Sequence, residues 1–319
     1  MVGSYKEQLL KTTFPLTDIY KDSGWKEIQG NCIIPIGIRL DHEPEYEGDK
    51  KMLFGPLAYS HNIIIGGVKG SGKTNFIRCL LSNLLLTTKG KDLNIHIIDT
   101  RENNYSRYSN LKDKFVNVVS SPSDAKSIFS YFLDELDDRW NRIKKTYQES
   151  YKIWPDHNFE LKNKNKSQNN FEELRYFSDL PRLLLIVEDW SELMKFDPVF
   201  FKNAALKISK SVGLTDIHII LSSSELSEDI YPAELVQSFG SSFAFKTNSE
   251  QESHILIGCS GAEELKVSGE VLHRRISLES YKEDGFIRKA THTEQIYHVK
   301  TFNINEVETT QIINVINAS

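Results

Sequence analysis

Short apolar runs recur along the chain with helical patterns between them, at residues 62–66, Leu93–Asp99, Arg182–Glu188, 217–222 and 242–246. Runs this short, apolar on both alternating faces, suit strands buried inside a parallel sheet. Residues 75–86 after the first run are amphipathic. Residues 123–145 place Ala125, Ile128, Phe129, Phe132, Leu136, Trp140 and Ile143 at helical spacing behind the start signal Ser121-Pro122-Ser123. The alternation predicts an α/β fold, a mainly parallel β-sheet with helices on both faces. Residues 154–170 are polar and aperiodic, which marks 151–170 as a mobile polar loop. Residues 1–30, which contain Trp25, read as an N-terminal arm or linker, and 295–302 as a closing edge strand.

Between the first run and its helix stands Gly67-Val68-Lys69-Gly70-Ser71-Gly72-Lys73-Thr74. It fits the Walker A or P-loop pattern G-x-x-x-x-G-K-[ST] in the strand, turn and helix context that the chemistry requires. The glycines let the backbone curl so that successive N–H groups face one phosphate chain, and the helix N-terminus adds partial positive charge. Gly67, Lys69, Gly70, Ser71, Gly72, Lys73, Thr74 and Asn75 are therefore expected to bind the nucleotide, ATP with Mg²⁺. Lys73 should reach the β- and γ-phosphates and Thr74 should hold the metal.

Composition narrows this little. The 319 residues are 39% hydrophobic and 26% charged, enough for one large domain or two small ones. The net charge of −5 gives no global basic signature, so contact with nucleic acid would need a local patch or a ring-lining loop. Cys32, Cys79 and Cys259 are odd in number and far apart, which fits free thiols in a cytoplasmic protein. No apolar stretch approaches the roughly 18 to 20 residues of a membrane span. The 9 histidines show no metal spacing, and His218, inside an apolar run, reads as a core residue.

Other segments carry a resemblance. Ile34-Pro35-Ile36-Gly37 precedes the first core strand, and Glu135-Leu136-Asp137-Asp138-Arg139-Trp140 lies on the long helix. Leu180-Pro181 leads into Leu184-Leu185-Ile186-Val187-Glu188-Asp189-Trp190-Ser191-Glu192-Leu193-Met194, followed by Ile217-His218-Ile219-Ile220-Leu221. Gly261-Ala262-Glu263-Glu264-Leu265 and Gly269-Glu270-Val271-Leu272 complete the series. Together with the P-loop these resemble the FtsK/SpoIIIE motor family, including the EssC/EccC type VII secretion modules. The resemblance implies a RecA-like P-loop NTPase domain over 31–319, with nucleotide at the carboxyl ends of the strands.

It also implies that the first acid after the apolar run organises Mg²⁺ and the second polarises the attacking water, so that Lys73, Glu188 and Asp189 are catalytic and Thr74 with Glu188 holds the metal. The family's Asp-Glu order is inverted here to Glu188-Asp189. Ångström-scale misplacement of a catalytic group can cost on the order of a hundredfold in rate. Ser224 stands where the family has a glutamine that senses the γ-phosphate. Lys210 lies near the position of a missing arginine finger, a group worth about a thousandfold or more in phosphoryl transfer. Asp99 and Arg101, with Asn103-Asn104-Tyr105, occupy either a nucleotide-facing position or a plain turn. Arg139 reads as an i,i+4 partner of Glu135 or an inter-subunit contact, and Arg274-Arg275 as a phosphate-binding or ordinary surface pair.

The expectation is therefore an ATPase of weak intrinsic activity. It would work in a ring-type homo-oligomer, or with homologous modules, on double-stranded DNA read without sequence preference. The alternative is a degenerate ATP-binding module that recognises a secreted protein substrate. Either would act in the cytoplasm or at the inner face of the membrane through partners.

Overall fold

The apolar runs lie side by side in one sheet. The structure, a computed structural model, describes residues 2–21, 32–41, 51–57, 62–101, 104–109, 111–153, 180–211, 215–283 and 286–318. In chain order the first elements are α1 (Val2–Lys11), β1 (Ile33–Arg39), β2 (Met52–Pro56), β3 (Ile63–Gly66), α2 (Lys73–Thr87), β4 (Leu93–Asp99), β5 (Phe115–Val119) and α3 (Pro122–Ile153). There follow β6 (Arg182–Glu188), α4 (Trp190–Phe196), α5 (Pro198–Ser209), β7 (Ile217–Ser223), α6 (Ala233–Gln237) and β8 (Ser241–Phe245). The last are α7 (Glu250–Ile257), β9 (Glu270–Glu283), β10 (Phe286–Thr301) and α8 (Glu306–Ala318).

The strand order is β2-β1-β10-β9-β8-β3-β7-β6-β4-β5. From β8 to β5 all pairs are parallel, while β9, β10, β1 and β2 add on antiparallel. Strand β6 explains why its run is apolar throughout. Leu183, Leu185 and Val187 pack with Phe129, Phe132 and Leu136 of α3, whereas Leu184 and Ile186 pack on the opposite face with Phe76, Ile77 and Leu80 of α2. Side chains alternate faces along a strand, so a helix layer on each side demands hydrophobicity at both parities.

The stretch 295–302 is not an edge. All of it but Phe302 belongs to β10, which lies between β9 and β1, and the edges of the sheet are β2 and β5. Gly37 pairs with Thr301 and Ile38 with Lys300, so the first strand of the chain covers the side of β10 that would otherwise face solvent. The hairpin of β9 and β10 runs from Glu270↔Lys300 to Glu283↔Phe286, well past the reach of its neighbours, which pair only as far as Arg275 and Val299.

Before residue 30, Leu9, Phe14, Leu16 and Ile19 are buried with Ile33, Ile38, Cys79, Phe302 and Ile304. The backbone of Leu16 donates to Asn303 O (2.9 Å) and that of Asn303 to Phe14 O (2.7 Å). Trp25 and the polar stretch 154–170 lie outside the described residues. Helix α3 carries Arg139, whose side chain is buried. Its Nη1 donates to Thr215 O (2.8 Å) and its Nη2 to Pro181 O (2.9 Å), so the guanidinium ties α3 to the segments entering β7 and β6. The i,i+4 contact with Glu135 exists at 3.4 Å, with Glu135 on the more open side. Among the described residues no helix is long and apolar enough to cross a membrane.

Candidate functional site

The carboxyl ends of β3, β4, β6 and β7 converge on the loop 67–72. Gly67, Gly70 and Gly72 adopt φ of +146°, +81° and +115°. A Cβ on Gly72 would sit 2.8 Å from Gly269 N, and one on Gly67 2.8 Å from Phe245 Cβ, so glycine is required by sterics at both. The loop is braced from outside. Val68 N donates to Lys246 O (2.7 Å), and Gly269 N donates to Ser71 O (2.8 Å), which gives the Gly269-Glu270-Val271-Leu272 segment its place at the site.

Gly72 is the N-cap of α2 and brings no capping side chain. The first-turn N–H groups therefore open onto the loop, where an anion can satisfy them. Lys73 is buried and donates through Nζ to Gly67 O (2.7 Å), Val68 O (3.0 Å) and Ser224 Oγ (3.0 Å). The ammonium is thus held at the mouth of the loop by neutral acceptors that an anion can replace. Thr74 Oγ1 donates to Glu188 Oε1 at 2.6 Å. The other oxygen of Glu188 accepts from the Tyr105 hydroxyl. Burial pushes the Glu188 carboxyl above its ordinary range, opposed by these two hydrogen bonds, while burial and Glu188 push the Tyr105 phenol well up. One hydroxyl and one carboxylate side by side form an oxygen donor pair that suits Mg²⁺, which keeps most of its shell for water and phosphate. The residues present therefore fit nucleotide and metal.

The rest of the expected set divides. Gly67, Gly70, Ser71, Gly72, Lys73, Thr74 and Glu188 come together, and Lys69 lies on the exposed shoulder of the loop. The side chain of Asn75 faces the C-terminal segment, donating to Ile304 O at 2.6 Å, and its backbone lies at the helix start. Asp189 caps α4. Its Oδ1 accepts from Ser191 N (3.1 Å) and Ser191 Oγ (3.0 Å), its Oδ2 pairs with Arg101 Nη1 (3.1 Å), and the side chain is 7% exposed. Ser224 contacts Lys73, whereas Lys210 is a surface residue paired with Glu234 at 2.8 Å. Asp99 accepts from Asn104 N, Asn103 lies outside the described residues, and Arg274 pairs with Glu294 across the hairpin.

Two features escaped the sequence. Tyr105 lies a few residues beyond β4, and no spacing rule signals its contact with Glu188. Arg101 gathers Asp189, Glu192 and Glu225 (3.3 Å), with Lys195 also on Glu225 at 2.5 Å. They come from three places along the chain: the residues after β4, α4 with its N-cap, and the residues after β7. Only the strand-end position of Arg101 could have hinted at the cluster.

The model of the FtsK/SpoIIIE family matches residues 15–228. The DNA translocase FtsK of Streptomyces avermitilis is 24% identical over 216 residues, covering 68% of this chain and 23% of its own length. That of Staphylococcus epidermidis is 24% identical over 267 residues, covering 84% and 30%. The chain thus spans 23% to 30% of the length of these relatives. Among solved structures, the cytoplasmic domain of the Thermomonospora curvata type VII secretion ATPase EccC superposes with a TM-score of 0.66 at 16% identity, covering 97% of this chain and 35% of that one. The pCW3 conjugation coupling protein TcpA, in its monomer form with ATPγS, gives 0.64 at 14% identity, covering 95% and 74%. Likeness at this identity concerns the fold.

Proposed function

This chain belongs to the FtsK/SpoIIIE family, and on that premise we propose that it is an ATP-binding motor domain that hydrolyses slowly and works in a ring on double-stranded DNA. The observation that carries the reading is the junction of Lys73, Thr74 and Glu188, where a glycine loop, a helix N-terminus and a strand-end carboxylate meet. Lys73 and the first-turn N–H groups of α2 bind the phosphates. Thr74 and Glu188 would hold Mg²⁺, which when bound would neutralise phosphate charge and polarise the phosphoryl oxygens. Asp189 follows in the position of the base.

Slow turnover is supported by the state of Asp189. A general base needs an oxygen directed at its water within about 2.6–3.2 Å. Both oxygens of Asp189 already accept from Ser191 or Arg101, and the side chain is nearly closed to solvent. The same observation favours a second reading, in which bound ATP fixes an interface for a protein substrate and is rarely consumed. DNA distinguishes the two. Phosphate release that rises with double-stranded DNA, together with ATP-dependent growth in light scattering, supports the motor. Tight ATP binding with turnover indifferent to DNA supports the recognition module.

A further inference from the structure

Arg101 leaves the end of β4 and reaches over the end of β6. Its Nη1 takes Asp189 Oδ2 at 3.1 Å, and its Nη2 takes Glu192 of α4 and Glu225 Oε1, just beyond β7, at 3.3 Å. A planar fork held by acids from both sides loses little further freedom in the geometry it already has. Lys195 adds a second cation, at 2.5 Å from Glu225 and 3.5 Å from Glu192, so the outer acids are held in turn.

We propose that Arg101 is a positioning residue that holds Asp189 in an unproductive orientation, so that release of this latch is what raises hydrolysis. The inference rests on the reading of the loop and Glu188-Asp189 as an ATPase site. A carboxylate offers about four lone-pair sites. Asp189 gives two to Ser191 and one to Arg101, so the one site left for a water is on the oxygen that Arg101 holds, where the adjacent positive charge opposes proton abstraction. Ser191 lies within the turn that Asp189 caps and cannot leave without uncapping α4. Arg101 is the detachable partner, since its side chain is 39% exposed and its remaining contacts are with partly exposed acids at the rim. A carboxylate brought to that rim by a neighbouring subunit would compete for the guanidinium, whereas Asp189 has no other cation in contact among the described residues.

The test compares the parent with Arg101→Ala, Arg101→Lys, Asp189→Ala and the double variant Arg101→Ala/Asp189→Ala, reading steady-state phosphate release and, by calorimetry, affinity for a slowly hydrolysed ATP analogue with Mg²⁺. Arg101→Ala is expected to raise kcat by about tenfold, a fraction of the roughly 10²–10⁴ that a positioned base supplies, with KM and nucleotide affinity unchanged. Arg101→Lys keeps one point charge without the fork and is expected in between. The double variant is expected to be no faster than Asp189→Ala alone. If Arg101→Ala binds nucleotide as the parent does but turns over no faster, the latch is wrong. A gain that persists in the double variant would equally overturn it, because the effect would then bypass Asp189. A parent that binds no nucleotide would overturn the ATPase reading itself, and the latch with it.

Discussion

Thr74 and Glu188 are 114 residues apart in sequence and meet at 2.6 Å, the hydroxyl on the first turn of α2 donating to the carboxylate at the end of β6. The contact exists because β3 and β6 both flank β7, so their carboxyl ends open at the same level of the sheet. It presents two oxygens to one point beside the glycine loop.

The second oxygen of Glu188 depends on Tyr105. Tyr105→Phe leaves a buried carboxylate short of a donor, and loss of such a hydrogen bond costs about 1–3 kcal/mol. Chemical denaturation without nucleotide should show a stability loss in that range. A change smaller than ~0.5 kcal/mol would mean that the phenol contributes nothing to holding Glu188.

The inverted order of the acids can be reversed. Glu188→Asp with Asp189→Glu puts the longer side chain where the base must reach water, and phosphate release should rise by several-fold, on the scale of an ångström's correction in reach. An unchanged or lower rate would mean that the order Glu188-Asp189 is already adapted to its own geometry, or that the limit lies at Ser224, at the absent arginine finger or at the hold of Arg101 on position 189.

Burial makes the fold acid-sensitive through two histidines. His273 is fully buried, stacked on Phe243 at 4.1 Å, and pushed down to about 3. Burial also pushes His96 down to about 4. In the unfolded chain both titrate near about 6.5. Below that pH the unfolded state takes protons that the folded state refuses, so stability is complete above about 6.5 and falls as the pH drops toward 4. Denaturation midpoints between pH 7.5 and 5 should decline, and His273→Phe should flatten the decline. An equal slope in the variant would remove His273 from the account.

The legible parts of the fold were those fixed by local pattern. Buried strands such as Leu93–Asp99 and Arg182–Glu188 appear with the bounds that their apolar runs mark. The glycine loop 67–72 between β3 and α2 was readable because the P-loop pattern sets glycines and a helix start at fixed offsets. What stayed hidden depended on distant pairing. Residues 295–302 look like an edge strand until β1 is known to lie outside them. Arg139 looks like half of a surface ion pair until Pro181 and Thr215 close over it. The engagement of Asp189 by Arg101 needs the ends of two adjacent strands and the start of α4, and no spacing along the chain encodes that.

Calorimetric titration of the chain with a slowly hydrolysed ATP analogue and Mg²⁺, beside Lys73→Ala, tests the nucleotide site most directly. The parent should bind, and the variant, lacking the cation that meets the phosphates, should bind more than about tenfold more weakly while melting at the parent temperature. A parent that gives no binding heat, or a variant that binds as tightly as the parent, would contradict the assignment of the loop 67–72 as the nucleotide site.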